Sequence, residues 1–514
     1  MMLALILCFS VGLFAQTTGD YRTAGSGNWS NAATWQRYNG STWLSAPSAP
    51  TGSGVITIQS TDSVYVDILV SIADTLRNQG KLGGTGSLTI VGTYQHDEPN
   101  GSIPQPTWAN GSTCLVTGYT TGSKPNNSNQ SYYNFAWNCP NQTSNVDLAM
   151  TGNTIGGNFT VMSTGVARVY FSSPNTFTSP VTVNGNVVVT GGILASNGSS
   201  SIATILITTH GNIIVTGGTF GVSRGSAPDV TWTLDGDFSV SNATLQNSGG
   251  THINMLLFSG GHSHNISLSN VTYGTGTSYF TMQVDSNARV DLGTSVIGAN
   301  NSGSFIVRPG GTLSTGNPTG INGAILCTGA SNGGGNSFST GANYVFNGST
   351  AQSTGTNMPA TVNDLTINNS ANVTLSQATT INGVLHLVAG VFDNTIPFTL
   401  GPSGSISFEG GSLLISSVKS VKGLGIPRVF FVDQNYPNPF NPTTTVQFGL
   451  PARSFVSVKV FNVLGHEVAT LFEGVQSAGV YSAEFDAREL GSGVYFCRVQ
   501  TEKSVIVKQM VLLK

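Results

Sequence analysis

The sequence predicts an all-β fold, a right-handed parallel β-helix or solenoid followed by a small antiparallel β-sandwich. Three observations carry this. Of 514 residues 65 are Gly and only 8% are charged, against about 25% in an average soluble chain. A Gly-Asn or Gly-Asp step recurs before short apolar strands at a nearly constant interval. From about residue 430 the composition changes to that of an ordinary small domain.

The same figures exclude several classes. A net charge of −3 with 39% apolar residues leaves material for a core and argues against disorder. The glycines have no three-residue period, so collagen is excluded. Nineteen basic residues spread over the whole chain form no footprint for nucleic acid. Past the leader no stretch approaches the roughly 18 apolar residues of a membrane span, so no span is expected.

Residues 1–15, MMLALILCFSVGLFA, are a short apolar run of the length of a secretory signal peptide, cut near Ala15. Export places the remaining cysteines in an oxidising compartment. Cys114 and Cys139 are close enough in sequence to staple one loop, whereas Cys327 and Cys497 fall in different regions. Neither CxxC nor a His-rich spacing accompanies them, so no metal and no cofactor is expected.

Residues 16–50 contain Trp29, Trp35 and Trp43 just before the first strands, VITIQ and SVYVD. A solenoid end exposes open core and unpaired backbone, and aromatic bulk at that point suits a cap. The Trp29-Ser30…Thr34-Trp35 pattern also resembles the opening segment of large exported β-helical proteins of the Bacteroidota.

Residues 51–415 form the repeat region. GNFTV from Gly157, GNVVV from Gly185, GNIIV from Gly211 and GDFSV from Gly236 are spaced by 28, 26 and 25 residues. Two and four positions after each Gly the residue is always apolar: Phe159 and Val161, Val187 and Val189, Ile213 and Val215, Phe238 and Val240. Strand side chains alternate faces, so this pair points inward and the mixed residue between points out. Corner, short strand, corner at a period near 26 is the pattern of stacked parallel coils. The glycines are expected at corners that need positive φ. Near residues 100–145 the repeat is interrupted by a stretch from Trp108 to Trp137, with Tyr119, Tyr132, Tyr133 and Phe135, near Cys114 and Cys139. This reads as an insertion with its own small core, or as a glycan-stacking platform on Tyr133 and Trp137.

A break follows. Residues 1–429 carry 27 charged residues, about 6%, and residues 430–514 carry 14, about 16%. Residues 416–429 read as a linker of small residues and scattered Lys. Beyond it, short alternating strands separated by Gly-containing turns predict the antiparallel sandwich.

Residues 430–514 contain Tyr436-Pro437-Asn438-Pro439-Phe440-Asn441-Pro442, the Phe461-Asn462-Val463-Leu464-Gly465 turn, Gly493-Val494-Tyr495 and the tail from Lys508 to Lys514. In that order these motifs resemble the C-terminal sorting domain of type IX secretion cargo. The resemblance implies an Ig-like sandwich and the type IX secretion machinery as partner. It implies a location outside the cell or on the outer-membrane surface. It further implies frequent removal of the domain on export, with the cargo attached to surface lipopolysaccharide or released.

Chemistry is sparse. The first 429 residues hold two Glu, Glu98 and Glu409, and four Lys. Asp235 and Asp237 flank Gly236 where corner hydrogen bonding is expected. His262 and His264 would share one face of an extended segment, in a solvated loop. No catalytic residue is assigned. The reading is an exported structural or adhesin-like β-helical protein, with surface glycans as candidate partners. The alternative is a carbohydrate-binding or polysaccharide-degrading protein.

Overall fold

The Gly-Asn corners generate a coil stack by bringing each strand into register with its equivalent one coil away. The computed structural model describes residues 16–99, 101–172, 179–197, 204–223, 229–247, 254–274, 280–298, 300–328, 335–414, 418–420 and 426–514. The leader expected over residues 1–15 lies outside them, as does part of the 416–429 segment. The chain divides into two compact units, Met1–Pro228 and Asp229–Lys514.

The first unit opens with antiparallel strands, Tyr21–Thr23 against Trp35–Tyr38 and the latter against Trp43–Ser45. Tyr21–Thr23 also pairs in parallel with Val55–Ile58 of the first coil. The tryptophan pattern explains itself here. Trp29 and Trp35 are buried edge to face with ring centroids 4.9 Å apart. Trp29 Nε1 donates to the Pro50 carbonyl (3.2 Å) and Trp35 Nε1 to the Trp29 carbonyl (2.9 Å). Thr34 Oγ1 donates to the Asn28 carbonyl (2.9 Å), and Ser30 Oγ to Asp67 (2.5 Å). Buried indole N–H groups need such partners.

From Val55 a parallel ladder runs through Thr75–Asn78, Thr93–His96, Thr113–Val116, Asn134–Asn138, Phe159–Ser163, Val187–Val189 and Ile213–Val215. The in-register core positions are Ile56, Leu76, Tyr94, Cys114, Phe135, Phe159, Val187 and Ile213, all fully buried. Coil length along this row therefore varies from 18 to 28 residues. The strands within residues 101–145 pair in parallel register with the coils on either side and do not form an insertion, and Tyr119, Tyr132, Phe135 and Trp137 are buried in the solenoid core itself. Ring contacts pass from Tyr94 to Trp108, Tyr132, Phe135, Phe159 and Phe171 at centroid distances of 4.3–6.2 Å.

The repeated Gly-Asn step works differently from the expectation. Gly157, Gly185 and Gly211 do not have positive φ. They are small because coils approach closely: a Cβ on Gly185 would lie 2.5 Å from the Gly157 carbonyl oxygen, and one on Gly211 2.4 Å from that of Gly185. Positive φ occurs instead at Gly192 (72°) and Gly218 (69°). The asparagines form a ladder. Asn158 N donates to Asn134 Oδ1, Asn186 N to Asn158 Oδ1, and Asn212 N to Asn186 Oδ1, each at 2.8 Å.

In the second unit a ladder runs from Phe238–Leu245 through Ser263–Tyr273, Arg289–Asp291, Thr312–Thr315, Asn343–Phe346, Leu365–Asn368 and Val384–Ala389 to Ser405–Phe408. Carboxylates replace amides as acceptors: Asn265 N donates to Asp237 Oδ1 (2.7 Å) and Val384 N to Asp364 Oδ1 (2.8 Å).

The C-terminal module has two sheets over one core of Phe440, Phe448, Val458, Phe485, Cys497 and Leu512, among others. One is antiparallel, with Phe431–Val432, Thr443–Leu450 and Gly479–Asp486. The other is mixed. Glu467–Gln476, Ser454–Asn462, Gly493–Thr501 and Val505–Leu512 run antiparallel, and Ser412–Leu414 of the last coil joins in parallel. Within the 416–429 segment, Val418–Ser420 pairs antiparallel with Gly479–Asp486, so part of this stretch is an edge strand.

Close stacking makes the corner glycines intolerant of a side chain. Gly185→Ala is expected to lower the unfolding free energy by about 1–3 kcal/mol, measured by chemical denaturation. At Gly25, where a Cβ meets nothing within 4 Å, the same change should stay within about 0.5 kcal/mol.

Candidate functional site

The sorting-type motif is built around Asn438 and Phe440, which fasten the proline-rich loop to the final strand. Asn438 Nδ2 donates to the Gln509 carbonyl (3.2 Å), and its Oδ1 accepts from Val511 N (2.9 Å). Phe440 N donates to the Val511 carbonyl (2.9 Å) and Leu513 N to the Phe440 carbonyl (3.0 Å). The Phe440 ring is buried 5.9 Å from that of Phe485. Upstream, Asn435 and Thr444 both donate to the Pro437 carbonyl, at 3.1 and 2.7 Å, and Ala487 N donates to that of Pro442 (2.9 Å). The peptide bonds before Pro437, Pro439 and Pro442 are cis; Asn441 lies between the last two prolines.

The module also presents apolar groups to solvent. Tyr436 is 83% exposed. At the Asn462–Gly465 turn, Asn462 Oδ1 accepts from Leu464 N and His466 N (both 3.0 Å), and Gly465 takes φ of 79°. Val463 and Leu464 are thereby held at the tip, 67% and 76% exposed. Gly493 opens its strand, and Tyr495 Oη donates to the Gly491 carbonyl (2.8 Å). Lys514 N donates to Ser492 Oγ (3.0 Å), and its ammonium reaches the Arg488 carbonyl. Register places Asn462 opposite Tyr495 and Tyr495 opposite Met510, next to the Gln509 and Val511 backbone that Asn438 holds, so the motif segments meet at one end of these strands.

The other sequence candidates are placed differently. Trp137 is fully buried, its Nε1 donating to Gln142 Oε1 (2.8 Å), so it is no stacking platform. Tyr133 is half-buried over Gly156 and Gly157. Cys114 and Cys139 are separate buried thiols. Cys114 stands opposite Phe135, four residues before Cys139, a displacement of about 13 Å along the strand. A disulfide needs Cα atoms within about 7 Å. Burial instead pushes the Cys139 thiol up to about 12. His262 and His264 lie side by side with ring centroids 5.0 Å apart, His262 exposed and His264 buried with Nδ1 2.8 Å from the Gly236 carbonyl oxygen. Among the described residues no group of three or more His, Cys, Asp or Glu side chains is arranged to hold a metal ion.

Three features escaped sequence reading because they join residues from different coils. One is an open groove of ≈ 390 Å³ on the first coils, lined by Asn28, Ser63, Tyr65, Lys81 and Gly83 among others. Tyr65 is 53% exposed and stands in register between Asn28 and Gly83. Gly83 has open space where a side chain would be, leaving room beside the aromatic ring. The second is an outer-face pair, His386 Nδ1 to Glu409 Oε1 at 2.7 Å. The hydrogen bond from His386, then that from Ser407, hold the Glu409 carboxyl below its usual range. Ser407 bonds the carboxylate (2.9 Å) and not the imidazole, so this is not the order of a nucleophile–base relay. A coil-length spacing between His386 and Glu409 was the available signal. The third is internal. Asn78 Nδ2 donates to Tyr94 Oη (3.0 Å), which lies 3.1 Å from His96 Nδ1, all buried.

Burial lowers His96 from 6.5 to about 4, Asp97 opposing the shift. The unfolded chain therefore takes up this proton before the folded one. Stability is full above pH 6.5 and declines as the pH falls through about 4, by about 3 kcal/mol from this group. Urea unfolding across that range should show the slope, and His96→Met should flatten it. In the module, Phe440→Ala should cost about 3–5 kcal/mol in urea unfolding, and Tyr436→Ala, on the surface, less than about 0.5 kcal/mol.

Residues 434–513 match the family model of the secretion system C-terminal sorting domain. No curated protein and no solved structure matches the chain. No helix among the described residues is long and apolar enough to cross a membrane. A parallel β-solenoid that carries this domain of the type IX secretion system is a secreted protein, exported by the type IX machinery to the extracellular space or cell surface.

Proposed function

We propose that the exported coil stack is a structural or adhesive element without catalytic activity. The supporting observation is how its few carboxylates are used. Asp20 accepts from Thr17 N and Val55 N, Asp97 from Arg77 and Gln95, Asp237 from Asn265, and Asp364 from Val384. A polysaccharide-cleaving site of the common type needs two carboxyl groups flanking a bond. Here the acids act as fixed acceptors between or beside coils, and outward strand positions carry mainly Thr, Ser and small polar groups.

A second reading, glycan binding, is favoured by the Tyr65 groove. An exposed ring beside a glycine offers a face for a pyranose, with Asn28, Ser63 and Lys81 as hydrogen-bonding groups at its rim. Its volume lies within the range of small-ligand clefts, about 300–1,000 Å³. Surface lipopolysaccharide or another surface glycan is then the partner.

One purified preparation tests both. Incubation with neutral and acidic polysaccharides is expected to release no product, and turnover would refute the non-enzymatic reading. On a glycan array, binding that disappears in Tyr65→Ala at unchanged thermal stability selects the glycan-binding reading. Absence of binding by the unaltered protein leaves the structural one.

A further inference from the structure

We propose that the outer face of the N-terminal cap and first coils carries a binding site for a uronate-type acidic sugar of a polysaccharide, centred on Arg22 and Arg77. Three tryptophans mark the cap in the sequence, and two of them, Trp29 and Trp35, fill its core. Trp43 does not. It is half-buried opposite Tyr38, with ring centroids 5.2 Å apart, and strand alternation puts this pair on the face away from Trp35.

The Trp43 ring supports the Arg22 guanidinium, whose central carbon lies 4.6 Å from the ring centroid. Arg22 Nε donates to Gln36 Oε1 (2.7 Å), and Gln36 stands opposite Arg22 on the adjacent strand. These two contacts hold the planar group in place without using its terminal nitrogens as donors. Among the described residues no carboxylate pairs with it.

Arg22, Thr57 and Arg77 stand in one row across three parallel strands, Tyr21–Thr23, Val55–Ile58 and Thr75–Asn78. Gln59 and Gln79, two residues on, continue the same face. With Trp43 these side chains line a cavity of ≈ 170 Å³. The nearby acids are already committed. Asp97 pairs with Arg77, and Asp20, also at the cavity, accepts from Thr17 N and Val55 N. The charge of Arg22 is left for a ligand.

The glutamines narrow the class of that ligand. Gln59 Nε2 donates to the Thr23 carbonyl (2.6 Å) and Gln79 Nε2 to Asp97 (3.5 Å). Both amide nitrogens thus turn to the protein, and the amide oxygens remain as acceptors beside the guanidinium groups. A bare anion suits the arginines and meets those oxygens unfavourably. A sugar acid suits both, its carboxylate on the Arg22 fork and its hydroxyls on the glutamines. Two arginines are too few for the phosphate run of a nucleic acid. Tyr65 belongs to another sheet, that of Gly27–Asn28, Ser63–Val66 and Lys81–Gly84, so this site is independent of that groove.

The test measures binding of the purified full-length protein to immobilised polygalacturonate and to the same polymer with its carboxylates methyl-esterified. The acid form is expected to bind and the ester to fail. Arg22→Gln should weaken binding by about tenfold or more at an unchanged thermal midpoint, and Tyr65→Ala should leave it unaltered. Arg22→Lys keeps the charge, loses the planar fork and should bind severalfold more weakly than the unaltered protein, which guards against a folding defect in the first variant. Equal binding of acid and ester, no binding of either, full binding by Arg22→Gln or loss of binding in Tyr65→Ala would each overturn the site. Competition by inorganic phosphate or dextran sulfate as effective as that by soluble polygalacturonate would overturn the sugar-acid assignment in favour of a general anion site.

Discussion

Backbone pairing between successive coils is the constraint on which everything else depends. Each coil has few internal hydrogen bonds of its own, and its strands of two to eleven residues satisfy their N–H and C=O groups on the coils above and below. That requirement fixes the spacing between coils at about 4.8 Å and forces equivalent positions into line. The glycines at 157, 185 and 211 follow from it, since a side chain there would meet the neighbouring carbonyl. The asparagine ladder follows too, because each corner amide must find an acceptor one coil away.

The scarcity of charge has the same origin. A side chain in a stacked position recurs beside its equivalent, and like charges repeated at that spacing repel. The few carboxylates present serve as acceptors in the ladder or are tied to neighbouring donors, as Asp97 is to Arg77 and Gln95. Aromatic residues suit stacking, and the series from Tyr94 to Phe171 fills the core of successive coils. His96 is held below its ordinary range because burial disfavours its charged form.

The C-terminal module obeys different rules and meets the stack at its last coil. Its antiparallel strands build a core of their own, which accounts for its ordinary charge content. The parallel pairing of Ser412–Leu414 with Glu467–Gln476 makes the sheet mixed where an antiparallel sandwich was expected. The stack supplies an edge, and the module satisfies it.

Much of the fold was legible because strand alternation and corner composition are local properties. The inward pairs from Phe159–Val161 to Phe238–Val240 are buried as the pattern requires, and the motif from Tyr436 to Pro442 identifies the export module by its order alone. The insertion, the disulfide and the Trp137 platform were misread because coil length varies while core positions stay aligned, with register shifts only locally, as after Trp137 and after Ile367. A count of residues cannot locate a neighbour when successive described coils differ in length, from 18 residues between Leu76 and Tyr94 to 31 between Leu313 and Tyr344. Alternation, composition and motif order are local, and they reveal which residues face inward, where the chain changes character and how it is exported. Which coils meet is set by the folded backbone. With that come the Tyr65 groove, the His386–Glu409 pair and the row from Arg22 to Arg77, because these are set by hydrogen-bonded register between segments a coil or more apart.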